Sequence, residues 1–217
     1  PPTATETALL LRDVAATLAS GERIEPGDTV LAPDGRELIA SRFDPAALEN
    51  AGVQPATTWD EYLTAAQTVA DSGLTPVSIG GADGWTLTDW FENVYLSQAG
   101  PEQYDQLSKH EIPWTDPSVV TALETLAQLW AKDELIDGGA SGALQTDFPT
   151  SVINVFKEDP SAAMVYEGDF VAGVISSDTP SVVGQDANFF PFPQAGDSPA
   201  VVGGGDVAVA LTDKPAA

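Results

Sequence analysis

The chain has 217 residues, with 33 Asp+Glu against 8 Lys+Arg and a formal net charge of -25, a surface that repels phosphate backbones and excludes nucleic-acid binding. It has no cysteine, which removes disulfides, thiolate nucleophiles and Cys-based zinc sites together. A hydrophobic content of 43% with five Trp supports a folded core in one large or two small domains, and such acidity suits a secreted protein or one living in high salt.

Residues 8–19 have helical spacing (Leu10, Leu11, Val14, Leu18) closed by Ser20-Gly21. Pro26-Gly27-Asp28 and Pro33-Asp34-Gly35 mark turns around a short Thr29–Leu31 strand, and Arg36 to Phe43 reads as another strand. All four arginines lie in this part, so it differs in composition from the rest. The start at Pro1-Pro2 reads as a mature or trimmed form.

From Phe43 the pattern becomes regular. Asp44-Pro45 opens a short helix ending at Asn50-Ala51-Gly52. Thr58 with Glu61 three residues on predicts a capping box for a helix carrying Tyr62, Ala66 and Val69. Leu74 to Ile79 reads as a buried strand, and Gly80-Gly81 opens the loop into Trp85. Thr88 or Asp89 is expected to cap a helix carrying Trp90, Phe91, Val94 and Tyr95, which Gly100-Pro101 ends. Asp116-Pro117 starts another helix, with Val120, Leu123, Leu126 and Trp130 on its apolar face. Ala162 to Tyr166 is a short apolar strand, and Glu167-Gly168-Asp169 turns into a helix at Phe170. Phe189 to Pro193 reads as a strand edge, and Val201 to Val209 as a strand interrupted by glycines. Strands alternating with helices indicate an α/β layered fold.

No run reaches the ~20 apolar residues needed to span a bilayer. The single histidine, His110, sits in the polar connector Ser108 to Pro113 and is expected as an exposed loop residue, since no serine elbow or partner motif accompanies it. Gly203-Gly204-Gly205-Asp206 lacks the Gly-Lys-Ser/Thr of a phosphate loop, so nucleotide binding is excluded. Metal ligation has no supporting spacing such as an EF-hand loop, and no cofactor is implied.

The densest chemistry runs from Gly84 to Glu92, where two tryptophans, two hydroxyls and two carboxylates fall together. Flat apolar rings beside acceptor-only carboxylates suit a sugar, whose C–H faces stack and whose hydroxyls donate. The alternative is structural, with Trp90 and Phe91 as core anchors and Asp89 as a helix cap.

The order of segments then carries a resemblance. Phe43 to Val53 followed by Pro55-Ala56-Thr57-Thr58-Trp59-Asp60-Glu61 resembles a passage of the extracellular solute-binding proteins of carbohydrate ABC importers. Gly84-Trp85, Thr88-Asp89-Trp90, Gly100 to Asp105, Asp116-Pro117, Ala162 to Gly168 and Gly203 to Asp206 continue it in order, over roughly residues 41 to 214. The nearest likeness is to alpha-glucoside and maltose-binding-protein-like members. It implies an α/β, type II periplasmic-binding-protein-like architecture, mainly one lobe with hinge-crossing strands. Residues 1–40 are then an atypical N-terminal segment, a remnant of the first lobe. Residues 41–200 form the ligand-binding lobe, and 201–217 the strand crossing toward the other lobe.

Carried over residue by residue, the resemblance implies ligand contacts from Trp85, Asp89 and Trp90, and from Tyr166, Glu167, Asp169 and Phe170 around Gly168, which admits close backbone approach. Gly204, Gly205 and Asp206 complete the set, with Asp206 open between a sugar contact and a structural bond. The implied function is non-enzymatic binding of a neutral sugar or oligosaccharide, a glucoside above all, and its delivery to an ABC importer membrane permease. The protein is then an extracellular or periplasmic monomer, anchored to lipid, if at all, through a segment outside this chain. The competing readings are a glycoside hydrolase using paired carboxylates and an interaction module without ligand binding.

Overall fold

A computed structural model describes residues 37–38, 40–198 and 200–204. The expected helix at 8–19, the Thr29–Leu31 strand with its flanking turns, and two expected site residues, Gly205 and Asp206, lie outside the described residues.

Strands β1 (Glu37–Leu38) and β2 (Ala40–Phe43) bring the chain to the helix α1 (Pro45–Ala51), which Asp44 caps by accepting from the Ala46 amide at 2.8 Å. The predicted capping box forms at α2 (Trp59–Asp71), where Thr58 Oγ1 accepts from the Glu61 amide and Glu61 Oε2 accepts from the Thr58 amide. The buried residues of α2, Trp59, Tyr62, Ala66 and Val69, follow the helical period. Strand β3 (Thr75–Ser78) and a 3-10 turn at Gly81–Asp83 lead into α3 (Trp85–Ser108).

That helix starts earlier than expected. Gly84 is its N-cap residue, so Thr88 and Asp89 lie within the helix and cap nothing. Gly100 breaks it (φ 78°, ψ 170°) and Pro101 begins a second helical stretch, as Gly-Pro predicts.

The α4 helix (Pro117–Trp130) is capped by Asp116 but faces differently from the expectation. Val119, Ala122, Leu126 and Leu129 are buried, whereas Val120 and Leu123 are 44% and 49% exposed. Packing against α3 decides the rotation: Gln98 Nε2 donates to Thr125 Oγ1 at 2.8 Å, and Tyr95 Oη lies 3.1 Å from Ser118 Oγ. Two helices that the sequence left unread follow, α5 (Gly139–Ala143) and α6 (Phe148–Phe156), the latter capped by Asp147 on the Thr150 amide at 2.8 Å. Strand β4 (Ala162–Glu167), helix α7 (Val171–Asp178), strand β5 (Asn188–Pro191) and strand β6 (Gly203–Gly204) complete the order.

The main sheet has the order β3-β4-β2-β5. Strands β3 and β4 run parallel, with Val77 opposite Met164, while β2 is antiparallel to both its neighbours. Every residue of β4 is buried, and its side chains divide between two cores. Met164 and Tyr166 join the larger cluster around Tyr62, Trp90, Tyr95 and Leu126; Val165 joins a smaller one with Val152, Val155, Val171 and Ile175. Helices therefore cover both faces, which explains why β4 reads as an unbroken apolar run. Separately, β1 and β6 pair antiparallel, Leu38 opposite Gly203, so the chain enters and leaves the described α/β layers side by side.

Candidate functional site: an aromatic wall over buried carboxyls

Because β3 and β4 are parallel neighbours, their carboxyl ends lie at one edge of the sheet, where α/β folds place ligands. The chain leaving β3 passes Gly80 and the 3-10 turn to reach Trp85. The chain leaving β4 passes Gly168 to reach Phe170. At both glycines an added side chain would meet a neighbour, backbone at Gly80 and a ring at Gly168. A Cβ on Gly80 would stand 2.8 Å from Phe148 Cα, and one on Gly168 would enter the Phe170 ring.

Three rings converge at this edge. Trp85 lies 5.3 Å from Phe148 and 5.9 Å from Phe170 between ring centroids, and Phe148 lies 5.4 Å from Phe170. Trp85 is 39% and Phe170 38% exposed, so each offers an open face. Phe148 was not among the residues singled out from sequence. Its signal was the Asp147-Phe148-Pro149 helix start, which places a ring at a helix entrance.

Tyr166 and Trp90 lie behind this wall. They are 2% and 1% exposed and meet edge-on at 4.9 Å. Trp90 also packs on Phe192 at 5.6 Å, Trp130 at 6.3 Å and Trp59 at 6.4 Å. It is a core residue, buried beneath the site rather than part of its exposed face. Asn93 Nδ2 donates to the Tyr166 hydroxyl and, at 2.9 Å, to the Asp89 carbonyl, fixing α3 to β4 below the rings.

The carboxyls gather at the same edge. Glu167 is 2% exposed and its Oε2 has no hydrogen-bond partner in the protein. Burial, reinforced by the charges of Asp89 and Asp83, pushes its carboxyl up to about 9, so it is neutral at pH 7. Burial and then Glu92 push half-buried Asp89 up to about 6, leaving it largely ionised at pH 7. Asp169 Oδ1 is likewise buried without a partner. The Tyr104 hydroxyl has its titration raised, first by burial and then by the charge of Glu92. Glu167 is thus a proton-bearing acid that feels the charge of Asp89, itself an ionised acceptor, so one group can donate and the other accept. Among the described residues no group of three or more acidic or histidine side chains is arranged to hold a metal ion. No described helix is long and apolar enough to cross a membrane.

The structure therefore brings together Trp85, Asp89, Glu167, Asp169 and Phe170 of the expected residues, with Tyr166 and Trp90 behind them. Gly204 lies in β6, opposite Glu37 in the two-stranded sheet. His110 is an exposed loop residue with φ 57°.

The osmoprotective compounds-binding protein GgtB of Synechocystis sp. is 32% identical over 81% of this chain and 42% of its own length. The alpha-glucosides-binding periplasmic protein AglE of Rhizobium meliloti is 34% identical over 81% of this chain and 40% of its own. The chain thus spans about two fifths of the length of these relatives. Among solved structures, a chitin oligosaccharide binding protein superposes with a TM-score of 0.68 at 19% identity, covering 77% of this chain and 41% of that one. The protein RafE in complex with raffinose gives 0.61 at 15% identity, covering 76% and 42%. These likenesses show a type II periplasmic-binding-protein lobe. The family pattern described as bacterial extracellular solute-binding protein matches residues 13–216, taking in most of the segment set apart as atypical. The chain belongs to the bacterial extracellular solute-binding protein family.

Proposed function

We propose that this chain binds a neutral sugar or oligosaccharide, a glucoside above all, and presents it to the membrane permease of an ABC importer without chemical change. The observation that carries this reading is the wall of Trp85, Phe148 and Phe170 at the sheet edge where β4 ends in Glu167 and the first turns of α3 carry Asp89. Rings offer faces to sugar C–H surfaces, while the neutral acid donates and the ionised one accepts. The carboxyls at this edge oppose a further negative charge, which favours a polyol over a sugar phosphate or uronate. The name of AglE, an alpha-glucosides-binding protein, points to the same ligand class. The protein acts outside the cytoplasmic membrane as a monomer, and Gly205 and Asp206, outside the described residues, remain in the proposed set of ligand contacts. The antiparallel pairing of β1 with β6 supports a hinge at that two-stranded crossing, about which the lobe moves to sequester ligand.

A thermal-shift panel of glucosides and galactosides tests this, because a ligand of the native state raises the melting midpoint. A rise with a glucoside, saturable quenching of tryptophan fluorescence and no cleaved product after long incubation support the reading. Product release that Asp89→Asn or Glu167→Gln abolishes would replace it with glycoside hydrolysis. A panel without any response, on this chain and on a form extended at both ends, would leave an interaction module.

A further inference from the structure

Asp83 closes the 3-10 turn between β3 and α3, two residues before Trp85. Its Oδ2 accepts a hydrogen bond from the Phe148 amide at 2.7 Å, across 65 residues of sequence. That amide opens α6 and has no acceptor within its own helix. Asp147 does not serve it, because its carboxylate is committed to the Thr150 amide. The same two loops are joined a second time, the Ala82 amide donating to the Thr146 carbonyl at 3.0 Å. Gly80 lets the backbones abut, its position lying against Phe148 Cα and Ser151 Oγ. The start of α6 is therefore held by the loop that carries Trp85, and not by its own cap alone.

We propose that Asp83 is a positioning residue of the ligand site: its carboxylate fixes the start of α6 so that the Phe148 ring stays against Trp85 and Phe170 and the three rings meet ligand as one wall. The proposal rests on the ligand-binding reading for its functional consequence, but its geometry can be read without ligand. A helix cap with no further role would contribute stability and leave the rings in place. A positioning role moves the rings when the bond is lost. Asn at position 83 keeps an acceptor oxygen and removes the charge, whereas Ala removes both.

The test uses the 217-residue chain labelled with 5-fluorotryptophan, the Trp85 19F resonance being assigned by its loss in Trp85→Phe. Phe148→Leu defines the shift caused by losing the neighbouring ring. Asp83→Ala should move the Trp85 resonance in the same direction, and Asp83→Asn should leave it near the parent position. With a sugar found by the thermal-shift panel, Asp83→Ala should weaken binding about tenfold, the size of one lost hydrogen bond and its aromatic contact. The double variant Asp83→Ala, Phe148→Leu should bind no worse than Phe148→Leu alone, because both act through one ring. An unmoved Trp85 resonance in Asp83→Ala, or additive losses in the double variant, would overturn the proposal. Should Asp83→Ala not fold, Asp83→Ser supplies a shorter acceptor and the same comparison. A moved resonance with no response to any sugar would uphold the positioning role and remove the ligand reading instead.

Discussion

Trp90 on α3 and Tyr166 near the end of β4 meet edge-on with ring centroids 4.9 Å apart and both are buried, whereas Trp85 and Phe170, on the same two chain segments, are exposed. The two tryptophans of one short motif therefore do different work. Trp90→Ala should cost about 3–5 kcal/mol of stability, the range for deleting a buried aromatic side chain. Trp85→Ala should cost about 1 kcal/mol or less in stability, because its ring is partly in water, and weaken sugar binding about tenfold. Chemical denaturation with ligand titration on each variant checks the division. Equal stability losses would show that Trp85 is also a core residue.

Local signals in the sequence were legible where one residue's chemistry decides the outcome. Asp44-Pro45, Asp116-Pro117 and the Thr58–Glu61 box each predict a helix start, and each cap forms. Glu61 accepts from both the side chain and the amide of Thr57 as well, which holds its carboxyl below the usual range. Legibility ended where a partner element chooses. Apolar residues cover so much of α4 that two faces compete, and only packing on α3 selects Val119 and Leu129 over Val120 and Leu123. At the site, Trp85, Asp89, Glu167 and Phe170 were legible through their place in an ordered family pattern. Phe148 was not, because what makes it part of the wall is a hydrogen bond from a distant loop. Nor could the sequence show that Glu167 is a neutral acid, since that follows from its burial beside Asp89 and Asp83.

The acid pair gives stability an unusual pH dependence. Glu167 binds its proton in the folded state up to about 9, against an unperturbed 4.5. Between these values the folded chain carries a proton that the unfolded chain has lost, so stability falls as pH rises. Asp89 adds the same sign between 3.8 and about 6. The contribution is fully present below the unperturbed values and is lost as pH rises through each folded one. The limiting slope is about 1.4 kcal/mol per pH unit for each group within its window. Urea denaturation from pH 5 to 9 should show declining midpoints, and Glu167→Gln, which keeps a neutral polar group there, should flatten the decline. A profile of Glu167→Gln parallel to the parent would refute the neutral acid.

Gly80 and Gly168 make separate predictions because their obstacles differ. At Gly80 the obstacle is backbone, Phe148 Cα at 2.8 Å, and backbone on a helix start cannot step aside cheaply. Gly80→Ala should therefore destabilise the fold by about 1–3 kcal/mol, as overpacking does, and push α6 away from the Trp85 loop. At Gly168 the obstacle is the Phe170 ring itself, which is 38% exposed and free to swing outward. Gly168→Ala should then lower the melting temperature little while displacing one of the three rings. Its signature is ligand affinity reduced about tenfold, for one lost aromatic contact, at nearly unchanged stability. Calorimetric titration beside thermal melts of both variants separates the two. Should Gly168→Ala unfold the chain as readily as Gly80→Ala, the Phe170 ring is fixed by contacts that its exposure does not reveal, and the wall is rigid before ligand arrives.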